Sequence, residues 1–146
     1  MTSLGSALRI RFDCQPRLAW PALLLCLAVF SAGCQGDEER VQNFLERGKG
    51  YVTEGQNEEA IIEYKNVLQI DPENPEAHEA LSLAYLQLNK PREAYWEMSE
   101  TVRVSPENTE AKLRYGTISA AIGDYDLSLE QAEDVLAIDS NNTRAY

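Results

Sequence analysis

A chain of 146 residues suits one domain of ordinary size, and 44% hydrophobic with 25% charged residues is a globular mixture rather than a disordered one. Its 13 Lys+Arg against 24 Asp+Glu give a net charge of -11, with no basic stripe for a phosphate backbone, so nucleic acid is not an expected partner. His78 is the single histidine, which excludes a site of two imidazoles, and Cys14, Cys26 and Cys34 all lie in the first quarter, which leaves the rest without a disulfide or a cysteine-based zinc site.

Residues 1–17 carry Arg9, Arg11 and Arg17 against Asp13, and residues 18–33 are uncharged and mostly apolar. Sixteen residues rise about 24 Å as a helix, short of a hydrocarbon core of about 30 Å. A basic start, a short apolar run and small residues at its end predict a secretory signal peptide over 1–33. The junction Ser31-Ala32-Gly33-Cys34 resembles the bacterial lipobox, with Ser31 where that family favours Leu. The resemblance implies a diacylglycerol on the Cys34 sulfur, cleavage before Cys34 by signal peptidase II, and acylation of the new amino group. Three basic residues and one acidic residue would leave with the signal. Residues 34–146 would then carry 10 Lys+Arg and 23 Asp+Glu, a net charge of -13. So acidic a body binds anionic headgroups poorly, and the acyl chains would supply the membrane affinity. Gln35 follows the cysteine; the Gram-negative sorting pattern then implies the periplasmic face of the outer membrane. A short tether over 34–40 is expected to lead into the folded part.

From there the sequence repeats with a period of 34. Asn74-Pro-Glu-Ala77, Asn108-Thr-Glu-Ala111 and Asn142-Thr-Arg-Ala145 are in step, as are Asp71-Pro72 with Ser105-Pro106, Tyr51 with Tyr85, and Ala60 with Ala94. Gly55, Asn89 and Gly123 share one slot. In the second unit Asn74 caps a helix that starts at Pro75, where a missing N–H is harmless. Ala77, Leu81, Ala84, Tyr85 and Leu88 follow at helical spacing, and Asn89 adopts the left-handed conformation that ends the helix. Pro91 opens a second helix with Ala94, Tyr95, Met98 and Val102 inward, and Pro106 stops it. Ala84 and Ala94 are the expected small slots of close helix approach. The predicted helices are 39–54, 57–70, 75–88, 91–104, 109–122 and 125–138. The third unit departs most, with Ser128, Ala132 and Ser140 in the slots of an alanine, an aromatic and a proline.

The pattern resembles the tetratricopeptide repeat (TPR), a helix–turn–helix unit of 34 residues. The units are 41–74, 75–108 and 109–142, and Thr143–Tyr146 match the opening of a truncated fourth. The resemblance implies an all-α fold, a right-handed α-solenoid of three units whose first helices line a concave groove. Carried over slot by slot, the groove residues are Leu45, Lys49, Val52, Glu76, Glu79, Leu83, Leu86, Glu110, Leu113 and Arg114. The apolar ones would suit the apolar face of a partner helix or an extended peptide. The same leucines also suit packing between units, where repeat proteins bury most of their apolar surface. Chaperone-binding TPRs hold a C-terminal carboxylate with Lys, Asn, Asn, Lys and Arg. Here those slots hold Leu45, Lys49, Ala80, Glu110 and Arg114, and only Arg114 matches, so no such clamp is expected.

His78 fills a slot that favours Trp, and Phe44 fills it in the first unit, so His78 is expected to pack. No phosphate loop, nucleophile elbow, paired acid/base motif or looped calcium spacing is present, and neither enzymatic activity, a cofactor nor a small-molecule substrate is expected. The combination resembles bacterial envelope TPR lipoproteins of exosortase (PEP-CTERM) or type IV pilus systems. It implies a membrane-anchored scaffold that binds protein partners. The other reading is the N-terminal recognition arm of a longer enzyme, such as a glycosyltransferase or kinase.

Overall fold

The computed structural model describes residues 19–146, with side chains from Gly36 onward. The basic start of the expected signal peptide, Cys14 included, lies outside the described residues, and so do the side chains of Cys26 and Cys34. The chain divides into two compact units at Gln35/Gly36. In the first, the described part is helical backbone.

The second unit is all helix and turn. Its elements are α1 (Ala19–Thr53, which enters this unit at Gly36), α2 (Asn57–Ile70), α3 (Pro75–Gln87), α4 (Pro91–Val104), α5 (Thr109–Ile122) and α6 (Tyr125–Ile138). The last five match the predicted helices to within one residue. α1 is already helical where the sequence suggested a tether. Asp37 and Arg40 sit one turn apart on it with an ion pair of 2.9 Å, and nothing between Gly36 and Arg40 breaks a helix. Among the described residues no helix is long and apolar enough to cross a membrane.

Local chemistry sets the boundaries. The side chains of Asn74 and Asn108 accept from the amides of Ala77 and Ala111, both at 3.0 Å, and Asp124 does the same for Leu127 at 3.2 Å. Each first helix ends on one repeated device. Gly55, Asn89 and Gly123 have φ of 75°, 56° and 91°, the left-handed region. This conformation turns the next amide back onto the helix: Gln56, Lys90 and Asp124 donate to the carbonyls of Tyr51, Tyr85 and Ser119, all at 2.9 Å. Asn89 stands in a glycine slot because a short amide side chain tolerates this region better than most.

Helices pair through residues with almost no side chain. Gly48, Ser82 and Gly116 share a slot on the first helices, and Ala60, Ala94 and Ser128 share one on the second helices. Ala60 and Ala94 are fully buried. A Cβ on Gly48 would overlap the buried Tyr64 ring, and one on Gly116 would lie 3.3 Å from the Ser128 carbonyl oxygen. In the second unit the Ser82 hydroxyl uses the same proximity to donate to the Ala94 carbonyl at 2.8 Å. The close approach opposite Ala94 thus falls at Ser82; Ala84, the expected slot, is also buried and lines a hollow together with Lys49, Val52 and Tyr64 of the preceding unit. Around these contacts Leu81, Met98, Val67 and Val135 are buried almost completely.

Each unit also carries a polar tie between its two helices: Arg47 to Glu63, His78 to Glu97 and Lys112 to Asp134. His78 is buried, as expected of a packing residue, but both ring nitrogens are engaged. Nδ1 lies 2.8 Å from Glu97 Oε2, and Nε2 lies 3.1 Å from the Pro72 carbonyl oxygen.

The last unit differs from the others at its outer face. Tyr95 packs its ring on Tyr115 of the following unit, centroids 5.1 Å apart. Leu129 occupies the slot of Tyr95 and is 60% exposed. Beside it a hollow of about 470 Å³ is lined by Gly116, Ala120, Ser128, Ala132 and Tyr146 among others. Residues 143–146 match the opening of a first helix, and Thr143 and Arg144 lie in a turn.

Substitutions at the small slots are therefore expected to damage the fold far more than those at the outer face. Gly48→Ala and Ala94→Trp should each lower stability by about 1–3 kcal/mol through overpacking, whereas Leu129→Ala should stay within about 0.5 kcal/mol of the parent. Urea denaturation of the three variants checks this; equal losses would contradict the assigned contacts.

Burial pushes the Tyr115 phenol above its ordinary range, with the neighbouring Tyr95 adding to the shift, and burial likewise raises Tyr64. The folded state thus holds these protons more tightly than the unfolded chain. Their contribution is complete below the unfolded phenol value of about 10 and is lost as pH rises through the higher folded values. Melting temperature should fall above about pH 10, and Tyr115→Phe should make the fall shallower.

Candidate functional site

The face made by α1, α3 and α5 carries two adjoining hollows. The larger, about 580 Å³, is lined by Lys49 and Val52 of α1, by Ala80, Leu83, Ala84 and Gln87 of α3, and by Tyr64 of α2, together with Gly55 and Asn57 of the connecting turn. The smaller, about 260 Å³, is lined by Leu83 and Leu86 of α3, by Glu110, Arg114, Thr117 and Ile118 of α5, and by Arg144. Leu83 belongs to both, so the two form a continuous strip across the three first helices. Val52 and Leu86, 40% and 37% exposed, are apolar surface available to a partner.

Most of the groove residues expected from the repeat slots come together here. Lys49, Val52 and Leu83 line the first hollow, and Leu83, Leu86, Glu110 and Arg114 the second. Glu76 and Glu79 stand beside them as partners of Lys49 and Arg114. Leu113 lies half-buried in the hollow at the outer face of the last unit instead. Leu45 is a correction: it is 1% exposed and part of the core. It lines neither hollow of the open face. Cys34, the expected lipidation site, has no described side chain.

The polar groups of this face form a chain of ion pairs that crosses every unit boundary. Lys49 Nζ of α1 lies 2.6 Å from Glu76 Oε1 of α3. Arg114 Nε of α5 lies 3.6 Å from Glu79 Oε1 of α3 and 3.0 Å from Glu110 Oε1 one turn back. Arg144 pairs with the other oxygen of Glu110. Glu76 holds the Lys49 ammonium above its ordinary range, by its hydrogen bond first and its charge second. The Arg144 guanidinium holds the Glu110 carboxyl below the usual range.

Arg144 and Tyr64 were not foreseen as site residues. Arg144 was legible in principle, since it is 34 residues from Glu110, which is 34 from Glu76. Tyr64 reaches the first hollow from a second helix, which a rule assigning the groove to first helices overlooks. Among the described residues no cluster of three or more His, Cys, Asp or Glu is placed to hold a metal ion.

Comparison with known proteins agrees with this architecture. Residues 48–89 match the model of the TPR repeat family. The chain is 33% identical over 86 residues to BBSome complex member BBS4 of Bos taurus, across 59% of this chain and 17% of that protein. It is 27% identical over 107 residues to the type IV pilus assembly protein PilF of Pseudomonas aeruginosa, across 65% of this chain and 42% of PilF. The chain thus spans less than half the length of these curated relatives. Among solved structures, the first TPR of Spaghetti (RPAP3) bound to the HSP90 peptide SRMEEVD superposes with a TM-score of 0.66 at 27% identity. That match covers 73% of this chain and 85% of the other.

Exposed ion pairs contribute little, about 0.2–1 kcal/mol each. A double-mutant cycle on Glu79→Ala and Arg114→Ala should therefore return a coupling below about 1 kcal/mol that shrinks with added salt. A larger, salt-insensitive coupling would mean that this pair staples α3 to α5 rather than setting the charge of the groove.

Proposed function

We propose that the protein is a membrane-anchored scaffold of tetratricopeptide repeats that binds a protein partner along the α1–α3–α5 face in a bacterial envelope assembly process. The observation that carries the binding reading is the continuous apolar strip through Val52, Leu83 and Leu86, open to solvent and framed by charge pairs. A strip of this kind fits a short helix or extended segment laid across the first helices. The relative from Pseudomonas aeruginosa is named for pilus assembly, and a solved neighbour holds a peptide, which support a scaffold role over a catalytic one. The anchor reading rests on Ser31-Ala32-Gly33-Cys34 behind a basic and apolar leader, and the outer-membrane reading on Gln35.

Two measurements test this reading. Cys34→Ser should abolish lipid labelling and release the protein from membranes, and the intact mass of the parent should show a diacylated Cys34; an unmodified cysteine overturns the anchor. A photo-crosslinking residue at Leu86 should capture a partner in intact cells. The same residue at Trp96, exposed on α4 and outside both hollows, should not. Equal capture at both positions overturns the groove.

A further inference from the structure

Taking the groove reading as its premise, we propose that the occupant of the α1–α3–α5 face is a peptide segment with apolar anchors and a net positive charge, and that acidic tails ending in a free carboxylate are excluded. The two hollows contain three cations, Lys49, Arg114 and Arg144, and each is already neutralised by a carboxylate of this chain. Glu76 takes Lys49, Glu79 and Glu110 take Arg114, and Glu110 also takes Arg144. An incoming carboxylate would therefore meet cations whose charge is already balanced, and would lie beside the like charges of Glu76, Glu79 and Glu110. Glu46 adds a further negative charge close enough to act on Lys49.

The wider field points the same way. Residues 34–146 hold 10 basic and 23 acidic side chains. A field of that sign speeds the approach of a cationic segment and slows that of an anionic one. The anchors are set by the hollows: the larger, at about 580 Å³, has Val52, Tyr64, Ala80, Leu83 and Ala84 in its wall and accepts a bulky apolar side chain. Basic residues flanking such an anchor would approach the exposed Glu46, which already acts on Lys49. A cation there is attracted by that field and need not open the ion pairs of the face.

The test uses the full chain, immobilised in detergent, and a displayed library of random peptides of about twelve residues, long enough to span a groove in extended or helical form. Enriched sequences should combine apolar residues with a positive net charge, and charge-reversed versions should bind about tenfold more weakly at low salt. Enriched peptides should lose binding to Leu83→Asp, which alters both hollows at once, and to Val52→Asp, whose partly exposed position spares the fold. A doubled Glu79→Gln, Glu110→Gln variant should weaken basic peptides and admit acidic ones, because it frees Arg114 and Arg144. Acidic enrichment that is lost in Leu83→Asp and Val52→Asp overturns the charge preference while leaving the groove standing. Enrichment that survives both substitutions, or none above the bare support, overturns the groove reading itself.

Discussion

Two helices of a unit can approach closely only where neither presents a side chain of any size. In this protein that condition is met by Ser82 against Ala94 and by Gly116 against Ser128, while in the first unit the bare Gly48 makes room for the Tyr64 ring. Each pairing fixes how far the helix crossing brings the larger neighbours together, and the buried Leu81, Met98, Val67 and Val135 fill the space that results. The groove inherits its depth from the same contacts, since Tyr64, held against Gly48, is also the back wall of the larger hollow. Ser82 shows how narrow the tolerance is: its hydroxyl reaches a backbone carbonyl of the facing helix, and no longer side chain would leave that distance intact.

Charge has two separate tasks on this scaffold. Within units, Arg47–Glu63, His78–Glu97 and Lys112–Asp134 tie the first helix to the second, and in each pair one partner, Glu63, His78 or Lys112, is largely enclosed. Between units, Lys49–Glu76 and Arg114–Glu79 run across the open face, where solvent weakens them. The first set belongs to the fold, and the second sets what the face presents to a partner. The repeat slots make the division visible: Phe44, His78 and Lys112 share one position, yet only the last two are polar, and both turn inward to an acidic residue of the second helix.

Features governed by short stretches of chain were legible before any coordinates. Asn74 and Asn108 cap their helices, and Gly55, Asn89 and Gly123 close theirs, because each of these depends on a few residues and on steric rules for a single backbone. What escaped was orientation. Leu45 shares a slot with Glu79 and Leu113, but the first unit turns it into the core, while Glu79 reaches Arg114 in the next unit. His78 was legible as buried but not as a hydrogen-bonded hub, since Glu97 is 19 residues away and meets it only after the helices fold back. Groove membership depends on how units stack, and stacking is a property of many weak contacts rather than of any motif. Tyr64 and Arg144 enter the site on that account alone.

Leu83 stands in the walls of both hollows. That shared wall has a consequence for how recognition on this face can diverge. A substitution that enlarges one hollow at Leu83 reshapes the other, so the preferences at two neighbouring anchor positions of a bound segment cannot drift apart through this residue. Separate adjustment has to come from the flanks, Val52 on one side and Leu86 on the other, which each touch a single hollow. A family of such scaffolds that explored new partners would therefore vary at its edges first and hold its centre fixed.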